Sequence, residues 1–286
     1  MTAAALLALG AALCYGVSNF AGPRLARDLP LYTVLIAGQV VALAVSALFV
    51  VVELDRGAPR AEEALAAVVA GVGNAVGLLA FYRAASVGPL SIAAPLGSLG
   101  ALVPVLVGVA QGEGLGGLKL PAIALAMTGV ALAARRGTPR EDAADGPDDR
   151  RAAAGWALVS SLGFGAFLAA MAPAAEAGTF WAVAISRVSL LALFTAVALR
   201  FSSPLRVRGR DLPRVMVPGL LLFGGTMLYT AATREGDLSV VAVLGSLFPV
   251  VTVELAFALL GERLSRAQAA GAVAAMLGGV LLAAAR

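Results

Sequence analysis

Ten apolar runs succeed one another along the 286-residue chain, and each is long enough to cross a bilayer as a helix. The runs are continuously apolar, so they lack the alternation that marks the strands of a membrane barrel. We therefore predict an all-α integral membrane protein with ten transmembrane helices. The predicted runs are Ala3–Ala21, Leu31–Val52, Ala64–Ala85, Leu90–Ala110, Leu118–Ala134, Ala153–Ala175, Thr179–Leu199, Leu212–Thr233, Leu238–Leu260 and Arg266–Ala285.

The composition excludes several classes of protein. Hydrophobic residues make up 60% of the chain and charged residues 13%, which excludes both an ordinary soluble enzyme and a disordered chain. The chain has no histidine and a single cysteine, Cys14. Histidine proton relays, histidine metal ligands and histidine-activated nucleophiles are therefore excluded. We expect no cofactor, no metal site and no enzymatic activity.

The charged stretch Arg135–Arg151 divides the ten runs into five and five, and the two halves resemble each other. Leu96–Leu99 recurs as Leu244–Leu247, and Gly112–Leu115 recurs as Gly261–Leu264, at a nearly constant offset. We predict two five-helix repeats, 1–134 and 153–286, joined by a flexible linker, 135–152. Because each repeat has an odd number of spans, the second must be inverted, as in many secondary transporters with a midplane site.

The arginines indicate an orientation in the membrane. Most of them lie in loops on the side of the bundle that holds the linker, which the positive-inside rule assigns to the cytoplasm. Both termini would then face outward. The apolar N-terminus has no basic region before it, so we interpret it as the first span of a multi-pass cell-membrane protein and not as a signal peptide.

Two ionisable residues stand out because they lie far from the ends of predicted spans, where a charge is costly and indicates function. Arg187 lies about 12 Å along the seventh helix and Glu254 about 24 Å along the ninth. In the functional interpretation Arg187 holds an anionic group of a substrate, and Glu254 holds an amine or a coupling proton. The alternatives are a structural salt bridge, or an arginine that extends to the lipid headgroups.

Uncharged polar residues within spans are further candidates to line a substrate site. The alternative is that they only tie helices together, or that the tyrosines anchor helix ends at the interface. Tyr82 and Tyr229 occupy equivalent positions of the two repeats. The candidates are Ser18, Asn19, Gln39, Asn74, Tyr82 and Tyr229.

Proline and glycine interrupt the fourth and ninth predicted helices at matching places. Matching interruptions in two repeats indicate a binding site and a moving element. The alternative is that these small residues only permit close packing. We interpret Pro95, Gly97, Pro104, Gly245 and Pro249 as gating residues.

Glu113 and Glu262 follow these two helices, and we interpret them as interfacial charges that position loops.

Several motifs resemble the EamA-like family of the drug/metabolite transporter superfamily: Leu13–Phe20, Tyr229–Ala232, Leu247–Val251 and Leu259–Leu264. The resemblance covers the whole chain, although Tyr15 stands where tryptophan is expected. It implies ten helices in two repeats and the transport of small metabolites, such as amino acids, or of drug-like compounds. It also implies cytoplasmic termini, opposite to the arginine count.

We predict a secondary transporter that works by alternating access, with a small-molecule substrate and the lipid bilayer as partners and no nucleic acid. A coupling proton and a homodimer are left open. The first alternative is a non-transporting membrane scaffold or accessory subunit. A membrane enzyme is disfavoured because the chain lacks clustered ligands or an activated nucleophile.

Overall fold

The structure is a computed structural model that describes residues 3–87, 99–133, 147–201, 209–260 and 265–284. These residues form α-helices joined by short turns and 3₁₀ segments, and they contain no strand. The α-helices are α1 (Ala3–Asp28), α2 (Leu31–Val50), α3 (Ala61–Val87), α4 (Leu102–Ala110), α5 (Lys119–Ala133), α6 (Pro147–Ala174), α7 (Thr179–Arg200), α8 (Leu212–Thr233), α9 (Leu238–Gly245), α10 (Phe248–Leu260) and α11 (Arg266–Ala284).

The helices agree with the predicted all-helical membrane architecture. Within the described residues, 7 helices are long and apolar enough to span a membrane, and three shorter apolar helices accompany them. The shorter ones are Leu99–Ala110, Lys119–Leu132 and Leu238–Thr252. The number of ten spans therefore stays a prediction. The helix α6 begins at Pro147, inside the predicted linker, and proline is typical of the first position of a helix.

The outer faces of the bundle are apolar. Leu48, Leu106, Leu199 and Val280 are among many large aliphatic side chains that are more than half exposed. In water such a surface would drive aggregation, whereas in a bilayer it contacts acyl chains at no cost. The helices satisfy their own backbone hydrogen bonds, which is what a hydrocarbon environment demands.

Helices of matching position in the two halves pack antiparallel. In the pair formed by α5 and α11, Gly129 faces Ala275 and Gly278 faces Ala126. Residue numbers therefore increase in opposite directions along the two helices. At the end of α2, Phe49 stacks on Phe180 near the start of α7, with ring centroids 5.2 Å apart. An inverted repeat requires this antiparallel arrangement.

Short polar contacts identify one end of the bundle, which we call the termini end. Lys119 at the start of α5 lies 2.6 Å from Asp237, which precedes α9. Arg60, just before α3, lies 3.1 Å from Glu176, just after α6. Gly236 lies against Ala4, near the start of α1. We call the opposite end, where α1 and α3 finish and α8 begins, the linker end.

The predicted interruption of the ninth helix is present as a turn between α9 and α10. Ser246 and Leu247 form the turn: the N–H of Ser246 is shared between the carbonyl oxygens four and three positions back, and the N–H of Leu247 bonds the one three positions back. Gly245 lies just before this turn and Pro249 just after it. Pro104 is buried in α4. Pro95 and Gly97 lie outside the described residues, and the gating role of all five positions stays a prediction.

Candidate functional site

Arg187 is the centre of a buried polar cluster in the middle of the bundle. Its side chain, carried by α7, is 1% exposed. Its Nη1 donates to Oε1 of Gln39 at 2.8 Å. Its Nη2 donates to the carbonyl oxygen of Leu222 at 3.1 Å and to the hydroxyl of Thr226. The cluster therefore joins α2 of the first half to α7 and α8 of the second.

Tyr15 extends this cluster to a fourth helix. The hydroxyl of Tyr15 donates to Oγ1 of Thr226 at 3.3 Å, and the hydroxyl of Thr226 donates in turn to the carbonyl oxygen of Leu222 at 2.8 Å. Two helices from each half, α1 and α2 with α7 and α8, thus share one hydrogen-bond network. A buried hydrogen-bond network of this kind constrains the relative position of its helices.

The guanidinium of Arg187 lacks a charged partner in the part of the chain that the structure describes. Every acceptor that it contacts is a neutral oxygen, and no described carboxylate lies within salt-bridge distance. Its Nε is buried and has no acceptor among the described residues. A cation in this state costs free energy, and an anion brought to it would recover much of that cost.

A narrow cavity lies beside this cluster, towards the linker end. Its volume is about 30 Å³, which is room for one water molecule and not for a metabolite. Helices from both halves contribute to its wall. The lining residues are Ser18, Asn19, Gly22, Val34, Leu35, Gly38, Gln39, Leu78, Tyr82, Pro218, Gly219 and Leu222. The conformation is therefore one in which the cavity is nearly closed.

Four of the predicted site residues line this cavity: Ser18, Asn19, Gln39 and Tyr82. Gln39 lies between the cavity and Arg187, because it also accepts the Nη1 hydrogen bond. Ser18 donates to the carbonyl oxygen of Pro218 at 3.1 Å and so bridges the two halves. Residues from three separate segments of the first repeat thus converge on one place.

Two other candidates lie elsewhere. Tyr229 is fully buried, donates to the carbonyl oxygen of Leu168 at 2.9 Å and stacks on Phe167. These contacts tie α8 to α6, which is a packing function. Asn74 is half-buried on α3 and is not part of the cavity wall.

Glu254 is placed differently from the expectation. Its side chain is exposed on α10, so it is neither buried in the cavity nor paired with Arg187. The position of Glu254 along the chain indicates how far along α10 it lies but not the direction in which it points, because the polar residues of α10 are too few to mark a face. A hydropathy pattern with no polar face cannot orient a helix.

Sequence reasoning missed Tyr15 and Thr226 as site residues. Tyr15 was only a variant position in a motif, and threonine is common in membrane helices, where it bonds its own backbone. Only the fold shows that Thr226 accepts a hydrogen bond from Arg187 and that Tyr15 donates one to Thr226.

A second depression of about 420 Å³ lies at the termini end. It is open, and both halves line it: Gln111 comes from the first, and the other residues come from the second. They are Ala172, Pro173, Glu176, Thr233 and Arg234. Beside it, the hydrogen bond from Arg60 to Glu63 raises the pKa of the Arg60 guanidinium above its ordinary value.

Comparison with known families decides the classification. The model of the EamA-like transporter family matches residues 2–135 and again residues 151–284. The chain belongs to the EamA-like transporter family. The EamA family is part of the drug/metabolite transporter superfamily, so this protein is a multi-pass membrane transporter of that type. Family members are transporters and not enzymes.

A solved structure shares the fold of this EamA-like protein. It is described as a crystal structure of a protein, and it superposes with a TM-score of 0.76 over 97% of this chain and 95% of its own. The two sequences are 19% identical, so the similarity concerns the fold alone. No curated protein matches the chain.

Proposed function

We propose that this protein is a secondary transporter that moves small metabolites bearing an anionic group, by alternating access between two inverted five-helix repeats. The substrate would bind at the cluster formed by Arg187 and Gln39, with Ser18, Asn19 and Tyr82 as further contacts. No nucleotide-hydrolysing segment is evident in the sequence, so a gradient or exchange would supply the energy.

One observation carries the proposal: a fully buried guanidinium, beside a cavity shared by both repeats, bonds only neutral acceptors among the described residues. An ionisable group within a span costs about 2.5–3.5 kcal/mol on insertion scales, so its presence favours a functional explanation. A carboxylate or phosphate would supply the missing charge and an acceptor for Nε. The inward placement of Gln39 would let the same side chain contact both cation and substrate.

Glu254 is outside this proposed site, because its side chain is exposed. The described cluster offers no carboxylate to carry a coupled proton, which favours exchange or a proton site elsewhere. The scaffold alternative gains nothing from the contacts, since a scaffold has no need of a buried cation without a counter-ion.

The test is transport by the purified protein. Thermal-shift screening against a metabolite library identifies ligands, because only a bound molecule raises stability by mass action. Each hit is then measured for flux into proteoliposomes, together with its uncharged amide. We expect flux of the acid but not of the amide, and loss of flux in Arg187→Ala.

Arg200→Ala is the matched control, since Arg200 is exposed on the same helix. Arg187→Lys keeps the charge without the planar fork, so it separates loss of charge from misfolding. Equal flux of the acid and its amide, or full flux in Arg187→Ala, would refute the proposal. Protein that moves nothing from the library would favour the scaffold.

A further inference from the structure

Two carboxylates of the first repeat bond the backbone of the second repeat at the termini end. Glu113 accepts from the N–H of Leu238 through Oε1 at 2.6 Å and from the N–H of Ser239 through Oε2 at 3.0 Å. Glu53 accepts from the N–H groups of Phe180 and Trp181 through Oε2, at 2.8 and 3.1 Å. Each carboxylate therefore holds the first turn of a helix that belongs to the other half.

These contacts replace caps that the second repeat lacks. The residues that precede α7 and α9 are Gly178 and Asp237, and neither makes a side-chain capping bond. The first N–H groups of a helix need acceptors, and a negative charge there is favoured by the helix dipole. Carboxylates from the first repeat supply both. Their bonds are charge-assisted and lie partly buried, so they are stronger than surface ion pairs.

Each of the two carboxylates packs closely against a glycine. A methyl group added to Gly108 would overlap the carboxylate of Glu113, and one added to Gly178 would overlap that of Glu53. Gly178 also has a φ of 127°, a backbone angle that residues other than glycine rarely adopt. The close fit at two separate places indicates that these positions are shaped around the carboxylates.

One ion pair between the repeats lies beside each of the two carboxylates. Lys119 pairs with Asp237 beside Glu113, and Arg60 pairs with Glu176 near Glu53. Arg60 and Glu176 are well exposed, with side chains 62% and 64% accessible. An exposed pair such as Arg60 with Glu176 contributes little. The side chains of Lys119 and Asp237 are 15% and 45% accessible, so this pair reinforces the link that Glu113 makes between the repeats.

The two links occupy the end opposite to the nearly closed cavity. The cavity is lined by the linker-end halves of α1, α2, α3 and α8. The depression of about 420 Å³ lies at the termini end, and its wall includes Glu176, the partner of Arg60. A path from the termini end to Arg187 must therefore open between the helices that these links hold together.

We propose that Glu53 and Glu113 are gate residues that hold the termini end closed, and that their bonds to α7 and α9 must break before the site can open to that end. This inference rests on the proposed alternating-access transport. The two residues are positioning residues: they act on helices and do not touch the substrate.

The geometry predicts that replacing each carboxylate by an uncharged amide has different effects at Glu113 and at Glu53. Glu113 uses both oxygens, so Glu113→Gln places an amide NH₂ against a backbone N–H and loses one bond outright. Glu53 uses a single oxygen for both N–H groups, so Glu53→Gln keeps the acceptor and loses only its charge. We expect Glu113→Gln to raise the open-to-closed ratio at the termini end roughly tenfold, and Glu53→Gln by less.

Spin-label distances measure this ratio at both ends of the reconstituted full chain. In a Cys14→Ala background, Gln111→Cys with Glu235→Cys reports the termini end, and Pro30→Cys with Phe201→Cys reports the linker end; all four label sites are exposed. Glu113→Gln should lengthen the first distance and shorten the second together. A merely structural weakening would broaden both distributions without this opposite change.

Glu62→Gln is the matched control, because Glu62 is an exposed acid of the same repeat whose ion pair, with Arg60, stays within that repeat. Gly108→Ala is the second variant if Glu113→Gln does not fold, since it displaces the carboxylate while keeping the charge. Unchanged distances in both folded variants would overturn the gate, as would equal effects of Glu62→Gln. Flux of the unsubstituted protein is measured separately. If the protein transports nothing but Glu113→Gln still changes the two distances in opposite directions, the transport proposal is refuted and the gate is not.

Discussion

Arg187 is held by oxygen atoms that carry no formal charge, and this makes Gln39 the most informative position of the site. The amide oxygen of Gln39 is the acceptor for Nη1, and the same residue lines the cavity. A change of one atom in Gln39, from amide nitrogen to carboxylate oxygen, would give the cation a permanent counter-ion.

Gln39→Glu should therefore stabilise the protein and weaken ligand binding. A hydrogen bond between two charged groups is stronger than one to an amide, so we expect the free energy of unfolding to rise by about 1 kcal/mol. The built-in carboxylate would compete with an anionic ligand, whose affinity should fall roughly tenfold or more. Melting temperature and ligand titration measure the two effects.

Gln39→Leu is the companion variant, because it leaves Nη1 buried without its acceptor and should lower the melting temperature. Unchanged affinity for an anionic ligand in folded Gln39→Glu would contradict the placement of the substrate at Arg187.

At the scale of helices, the packing depends on glycines that bring backbones into contact. Gly163 on α6 faces the backbone of Gly73 and Gly77 on α3, and a Cβ added to Gly163 would lie 2.5 Å from the nitrogen of Gly77. Small residues at helix contacts are the usual means of close approach in membranes. Backbone atoms cannot move aside as the end of a side chain can.

Gly163→Ala should accordingly destabilise the protein by about 1–3 kcal/mol, the usual cost of overpacking. Gly155 lies on the same helix with nothing within 4 Å of its added Cβ. Gly155→Ala should be neutral or stabilising by up to about 1 kcal/mol, because alanine is the better helix former. Thermal unfolding in one detergent compares the pair, and equal melting temperatures would show that the α3–α6 contact is looser than described.

Length and hydropathy define a membrane span, so the sequence predicted an all-helical membrane protein, while the number of ten spans stays a prediction. Arg187 attracted notice because a charge within a span is conspicuous, and its role in a site stays a prediction. The sequence did not predict features that depend on the direction in which a side chain points or on a partner far away in the chain. The side chain of Glu254 is exposed and does not line the cavity. Glu113 was interpreted as a charge that positions a loop, yet it bonds N–H groups 125 and 126 residues away. Backbone N–H groups leave no trace in composition, so such a bond is found only in the fold.

At the scale of the whole molecule, the two repeats meet as antiparallel helix pairs, and the direction of the chain in the membrane becomes testable. The connections 111–118 and 234–237 lie at one end, and Phe201 lies at the other, since it follows α7. The arginine distribution assigns the linker end to the cytoplasm, whereas the family resemblance implies cytoplasmic termini.

Labelling of single cysteines distinguishes these orientations. In cells that express Cys14→Ala protein, we expect an impermeant thiol reagent to reach Gly116→Cys and Glu235→Cys from the outside. Phe201→Cys should react only after permeabilisation. The reverse pattern would support cytoplasmic termini. Labelling of Gly116→Cys and Glu235→Cys from different sides would contradict the inverted arrangement itself.

The glycine-lined contacts have a mechanical consequence. Between α5 and α11, the backbones meet with only small residues at the closest points: Gly129 lies against Ala275, and Gly278 lies against Ala126. Such seams can act as shear planes, along which one repeat slides over the other by small steps without repacking. A larger side chain introduced at such a contact would then hinder this sliding. A variant that still folds and binds substrate would have a lower transport rate at unchanged substrate affinity.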